Sequence, residues 1–157
     1  MITLQKLTVK DAYQLDDEDL FLVRLTEEFS QVIHNFAQHA ELRGVFVVDE
    51  DSRFLGVITR TDLLDWASVK LGAFTLKPLT DMNKTIRLVS LINTSTAGDV
   101  LRQETKKAAV FIHDTLAHAL RMMIEVDLIV LPVLDESQHI IGGLTLSELL
   151  NLALIDS

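Results

Sequence analysis

The stretch VVDEDSRFLGVITRTDLLDWA (residues 47–67) recurs without a gap as VLDESQHIIGGLTLSELLNLA (residues 133–153), at a shift of 86. Asp49 falls on Asp135, Gly56 on Gly142, Thr59 on Thr145, and Leu63 and Leu64 on Leu149 and Leu150. Self-similarity over such a distance marks two copies of one supersecondary unit, and it decides how every other segment is read. Inside each copy the aliphatic runs 45–48 and 129–134 are too short for helices and rich in β-branched residues, which predicts buried strands. The polar stretches 49–53 and 135–139 predict tight turns, because Asp and Ser side chains satisfy local backbone groups there. Returning strands at 54–59 and 140–145 complete two hairpins.

Upstream of each hairpin, apolar residues recur at helical spacing: Phe29, Val32, Ile33, Phe36, Ala37 and Ala40 in the first copy, then Leu116, Ala119, Leu120, Met123 and Ile124 in the second. Thr26 or Glu28, and Asp114 or Thr115, are the candidate N-caps. Downstream, helices are predicted at 62–71 and 147–155, capped by Thr61 and Ser147, with Gly72 ending the first of them. Short β segments are expected at 21–25 and 108–112, so each unit reads β-α-β-β-α. A leading arm repeats as well: TVKDA (residues 8–12) resembles TAGDV (residues 96–100) and is expected to be extended. The first repeat with its arm is assigned to residues 1–72, the connection to 73–95 and the second repeat to 96–157. The connection contains Pro78, with a possible helix over 82–92.

The strands are aliphatic at nearly every position, which calls for cover on both faces of each sheet. Two copies facing each other across an approximate twofold bury those faces and leave two equivalent clefts along the seam. Apolar residues form 48% of the chain and charged residues 24%, a globular balance that permits such a core. A formal charge of −9 opposes nucleic-acid binding, since that affinity comes from cations neutralising phosphates. The chain has no cysteine and therefore no thiolate metal site or disulfide. No membrane partner is expected, because no apolar run approaches the ~20 residues of a spanning helix. The N-terminal sequence does not read as a signal peptide, and a cytoplasmic location is expected.

Two constellations imitate metal sites. His113 and His118 are five residues apart and do not share a helical face. The acidic run Asp16 to Asp19 lacks the alternating ligands and central glycine of a calcium loop. Nucleophile elbows, phosphate loops and dinucleotide fingerprints are also missing, so neither enzymatic activity nor a catalytic cofactor is expected.

The doubled hydrophobic-Asp turn, the following Gly-x-hydrophobic-Thr-x-x-acid pattern and the repeated arm together resemble the tandem cystathionine-beta-synthase domain, the CBS pair. The resemblance spans residues 8 to 154. It implies an α+β fold of two repeats related by a pseudo-twofold, a regulatory role, and an adenosyl ligand (AMP, ADP, ATP or S-adenosylmethionine) held between the repeats. It also implies homodimers in the form of four-repeat discs, and a regulated partner protein. Ligand-binding positions carried over are Thr59, Thr61 and Asp62 in the first copy, and Thr145, Ser147 and Glu148 in the second. An ionised carboxylate accepts from both hydroxyls of a ribose, and free amides at a helix start cradle phosphate. Arg60 adds a positive charge beside them. Glu148, longer than Asp by one methylene, and Phe46, aligned with Pro132, depart from the family pattern; the first-copy site is therefore ranked above its twin. The alternative is a structural dimerisation module with degenerate, empty clefts.

Overall fold

The hairpin turns show how local chemistry fixes the repeat. Asp49 Oδ1 accepts from the amides of Asp51 (2.8 Å) and Arg53 (2.9 Å), and Asp135 Oδ1 accepts from Ser137 and His139, both at 2.9 Å. Each turn places a left-handed residue three positions after its Asp, Ser52 at φ 64° and Gln138 at φ 69°. The structure, a computed structural model, describes residues 2–13, 21–72 and 82–155. The acidic run 16–19 and Pro78 lie outside the described residues.

In chain order the elements are α1 (Ile2–Lys6), α2 (Val9–Ala12), β1 (Leu22–Arg24), α3 (Phe29–Gln38), β2 (Gly44–Val48), β3 (Phe54–Thr59), α4 (Arg60–Lys70), α5 (Met82–Ser90) and α6 (Ala97–Val100). A 3-10 turn (Gln103–Lys107), β4 (Val110–Phe111), α7 (Leu116–Val126), β5 (Val130–Leu134), β6 (Ile140–Thr145) and α8 (Leu146–Ile155) follow. Two three-stranded sheets result, ordered β1-β2-β3 and β4-β5-β6, with the first pair of each parallel and the second antiparallel. Their registers match: Val23 pairs Val47 and Val47 pairs Gly56, while Val110 pairs Val133 and Val133 pairs Gly142. The β-α-β-β-α unit is thus present twice, in an α+β fold.

All five residues of β2 and all five of β5 are buried, as strands covered on both faces must be. Alternate side chains of the first sheet enter different cores. Val45, Val47 and Ile58 join Phe29, Val32 and Phe36 of α3, whereas Phe46, Phe54 and Val57 pack with Leu116, Leu131 and Leu144 of the second copy. The sheets therefore share a seam. At its edge the hairpin turns touch, Phe54 N donating to Gln138 O at 3.1 Å.

The leading arms are not extended. Each is one helical turn started by a capping box, Thr8 with Asp11 and Thr96 with Asp99, because a Thr followed three residues later by an acid satisfies two free amides reciprocally. Each arm docks on the opposite copy. Val9 N donates to Asp114 O (2.8 Å) and Leu116 N to Leu7 O (2.9 Å); Ala97 N donates to Glu27 O (2.8 Å) and Gly98 N to Leu25 O (2.9 Å). Val9 accordingly sits in the second core, and Ala97, Val100 and Leu101 sit in the first. The backbone around Thr105 also covers the open edge of β3: the buried Thr105 hydroxyl accepts from Val57 N at 3.2 Å, pairing an edge amide that would otherwise be orphaned.

Several boundaries differ from expectation. β4 is two residues long, because the amides of Ala108 and Ala109 donate back to Thr105 O and Lys107 O of the 3-10 turn, and Phe111 O accepts from Asp114 N as the next turn begins. Thr115 caps α7, accepting from His118 N at 3.1 Å, whereas Glu28 stands at the N-cap of α3 without a side-chain bond. Ile124, expected on the apolar face of α7, is exposed, and Val126 takes its place in the core. Gly72, at φ 66°, follows α4 in the left-handed conformation expected of it.

Candidate functional site

Each returning strand ends in Thr-x-x-acid, and in both copies the threonine caps the next helix. Thr59 N donates to Asp62 Oδ2 at 2.8 Å; Thr145 N donates to Glu148 Oε1 at 2.8 Å, and Glu148 N donates to Thr145 Oγ1 at 3.2 Å. Thr61 and Ser147, expected to be the caps, lie in the first turns of α4 and α8 and are exposed. Their assignment is corrected by two positions: the capping box requires its acid three residues after the cap, and that spacing selects Thr59 and Thr145. The longer Glu148 still closes its box, folding back so that Thr145 Oγ1 also donates to Oε1 at 2.9 Å.

The two boxes differ in what surrounds the acid. The Asp62 side chain has no exposed surface. Its Oδ1 lies 2.8 Å from Arg87 NH2 of α5 and 3.0 Å from Arg102 Nε, the latter a charge contact off the line of a hydrogen bond. Asp65, one turn on, pairs with Lys84 and lies 3.6 Å from Arg87 Nε. Burial pushes the Asp62 carboxyl above its ordinary value of 3.8, against the opposing pull of the Thr59 amide, Arg102 and Arg87. Glu148 is half-buried and accepts only from Thr145 among the described residues, through Oε1 alone.

Arg60, the first residue of α4, turns to the C-terminal end of α3. Its guanidinium donates to the carbonyls of Phe36 (3.3 Å), His39 (3.0 Å), Ala40 (3.2 Å) and Leu42 (3.2 Å), and it lies 5.1 Å from the Phe36 ring centroid. It closes the C-terminal end of α3, where free carbonyls favour a cation.

A cavity of about 280 Å³ opens on the second-copy side of the seam. Its walls come from both copies: Phe21, Glu41, Arg43, Gly44 and Phe46 of the first, and Val130, Thr145 and Ser147 of the second. Of the seven candidate residues, the structure brings Thr145 and Ser147 to this cavity with Glu148 bonded behind Thr145; Thr59, Arg60, Thr61 and Asp62 are not among its walls. Phe46, fully buried, meets Phe54 edge-on at 6.4 Å and forms part of the wall. Arg43 is exposed and makes no ion pair or hydrogen bond with the described residues.

Glu41, Arg43, Arg87 and Arg102 carry no motif. Arg43 was signalled only by being a cation immediately before a buried strand. Arg87 and Arg102 had no signal, since the arm aligned at a shift of 88 places Gln14 opposite Arg102 and the connection has no counterpart at all. Among the described residues no group of three or more His, Asp or Glu is placed to hold a metal ion, and no helix is long and apolar enough to cross a membrane.

The sequence profile of the CBS domain matches this chain twice, over residues 9–69 and 97–154. No curated protein matches it. Among solved structures, Arabidopsis thaliana CBSX2 in complex with AMP is 23% identical with a TM-score of 0.74, over 96% of this chain and 98% of that one. A CBS domain-containing protein from Thermotoga maritima is 22% identical with a TM-score of 0.72, over 96% of each chain. The CBS domain pair of MJ0100, in complex with 5′-methylthioadenosine and S-adenosyl-L-methionine, is 15% identical with a TM-score of 0.64, over 96% of this chain and 98% of that one. With the profile met by both repeats and the two units folded on each other, this chain belongs to the CBS domain family, as a tandem CBS pair.

Proposed function

We propose that this CBS pair is a regulatory sensor that binds one adenosyl ligand per chain, in the second-copy cleft. The observation that carries the reading is the cavity shared by both copies, where hydroxyl groups at the start of a ten-residue helix face aromatic and aliphatic walls. An adenine fits between apolar walls and a ribose against hydroxyls, while Glu148 keeps one carboxylate oxygen free of partners among the described residues. Similar folds with AMP, and with S-adenosyl-L-methionine, support the ligand class. Because the walls belong to both copies, a ligand there favours arrangements that hold the copies together, the differential affinity any switch needs. Leu64 (67% exposed) and Leu150 (43% exposed), equivalent positions on α4 and α8, support pairing with a second copy of the chain.

The first-copy locus fits the second reading, a structural element. Its carboxylate is already occupied by Arg87 and Arg102. Thermal melts with AMP, ADP, ATP and S-adenosylmethionine test the sensor reading. At a hundredfold excess over Kd a ligand adds about 2.7 kcal/mol, a rise in Tm of roughly 5–10 °C for a chain of this size. No shift with any of them would leave the structural reading alone standing.

A further inference from the structure

The charges around the cavity are few and mixed. Among the described residues Arg43 is its only lysine or arginine, and Glu41, two residues earlier, lines the same wall. Glu148 adds a second carboxylate behind Thr145. Glu41 is exposed and its carboxyl is held below its ordinary value of 4.5, chiefly by its own backbone amide, so it is ionised at neutral pH. His39 Nδ1 lies 3.4 Å from Glu41 Oε1 and counters that charge only when protonated. Arg60, the cation among the sequence-derived site candidates, is committed to the end of α3.

Resting on the proposed ligand cleft, we infer that the cavity selects an adenosyl ligand of low net charge over a polyphosphate, and that Glu41 is the residue that discriminates. One arginine neutralises a ligand carboxylate and offsets about half the charge of a monophosphate, which is about −2 at pH 8. A triphosphate brings several negative charges to a wall holding one cation and one carboxylate among the described residues, with Glu148 bonded to the lining Thr145, on a chain of net charge −9. Like charges brought together in this way lower affinity without any steric clash. The Glu41 and Arg43 pair also suits a ligand bearing both an ammonium and a carboxylate, one group for each side chain.

The test is a calorimetric series of adenosine, AMP, ADP and ATP in magnesium-free, low-salt buffer at pH 8, on the unmodified protein and on Glu41→Gln. Affinity is expected to fall with each phosphate after the first. Glu41→Gln is expected to recover about threefold per unit of ligand charge, the factor Coulomb's law gives for charges about 6 Å apart in water, and to alter adenosine binding less than ATP binding. The gain should shrink as salt is added. ATP binding as tightly as AMP, or equal effects of Glu41→Gln on adenosine and ATP, would overturn the inference while leaving the cleft in place. Absence of binding by every member of the series would remove the cleft and the inference together.

Discussion

Replacing Asp62 by alanine separates a structural hub from a ligand contact. The family pattern predicts that Asp62→Ala abolishes nucleotide binding and leaves the fold intact. The structure predicts the reverse. Among the described residues the substitution removes the only carboxylate within reach of Arg102 other than the exposed Glu104, strips Arg87 of its 2.8 Å partner, and opens the capping box at Thr59. Breaking one side of a buried ion pair costs about 3–5 kcal/mol, and losing a helix cap costs about 1 kcal/mol. Arg87 and Arg102 keep 15% and 21% of their side chains exposed and can partly rehydrate, which places the total near the lower end, about 3 kcal/mol. For a chain of this length that lowers Tm by roughly 6–12 °C. The assay is a thermal or urea melt of Asp62→Ala beside the unmodified protein, with ligand titration of whatever fraction remains folded. A Tm within about 2 °C of the parent combined with lost ligand binding would refute the reasoning, since Asp62 would then face a ligand and not two arginines.

Other perturbations probe the contacts between copies. A Cβ at Gly56 would come within 2.6 Å of Leu101 Cδ1 and 2.7 Å of Thr105 Oγ1. Gly56→Ala is therefore expected to destabilise the chain by about 1–3 kcal/mol through overpacking, read as a lower urea midpoint. Asp11 and Asp99 have carboxyls held below 3.8, Asp11 chiefly by the Thr8 amide and Asp99 by those of Ser95 and Thr96. Their folded values are depressed, so the stability they give is present above 3.8 and is lost as pH falls through those lower values. Asp62 runs the other way. Its value is raised, so its linked contribution is present below 3.8 and falls away as pH rises through the raised value, and it adds nothing to the acid loss. Protection against hydrogen exchange at the amides of Val9 and Ala97, which bridge to the opposite copy, should fall below pH 3.8 before that of the strands; equal protection at pH 3 and pH 5 would contradict this.

The repeat made the fold legible because each of its signals has a local cause. The Asp of each turn, the aliphatic strand after each helix and the Thr-x-x-acid at each strand end act within a few residues, and their spacing survives translation by 86. The arms were misread for the same reason: TVKDA and TAGDV lack an apolar period, yet the Thr-x-x-Asp box was there to be seen and predicts a helical turn. Exchange of the arms between copies is a tertiary fact that no local pattern encodes. Site asymmetry was hidden because it arises from Arg87 and Arg102, whose positions have no basic counterpart in the other copy. An Asp that matches the family pattern is sealed by its own chain, while the departing Glu148 stands beside the open cavity. The proposed site on the second copy rests on that difference in surroundings and not on the motif.

A cleft on the second copy is tested most directly by plugging each side in turn. Ser147, exposed at the start of α8, lines the cavity; Thr61 is its equivalent at the start of α4. Calorimetry with AMP on Ser147→Phe and Thr61→Phe should show binding abolished in the first, and unchanged in the second with one AMP per chain. Binding lost in Thr61→Phe and retained in Ser147→Phe would contradict it.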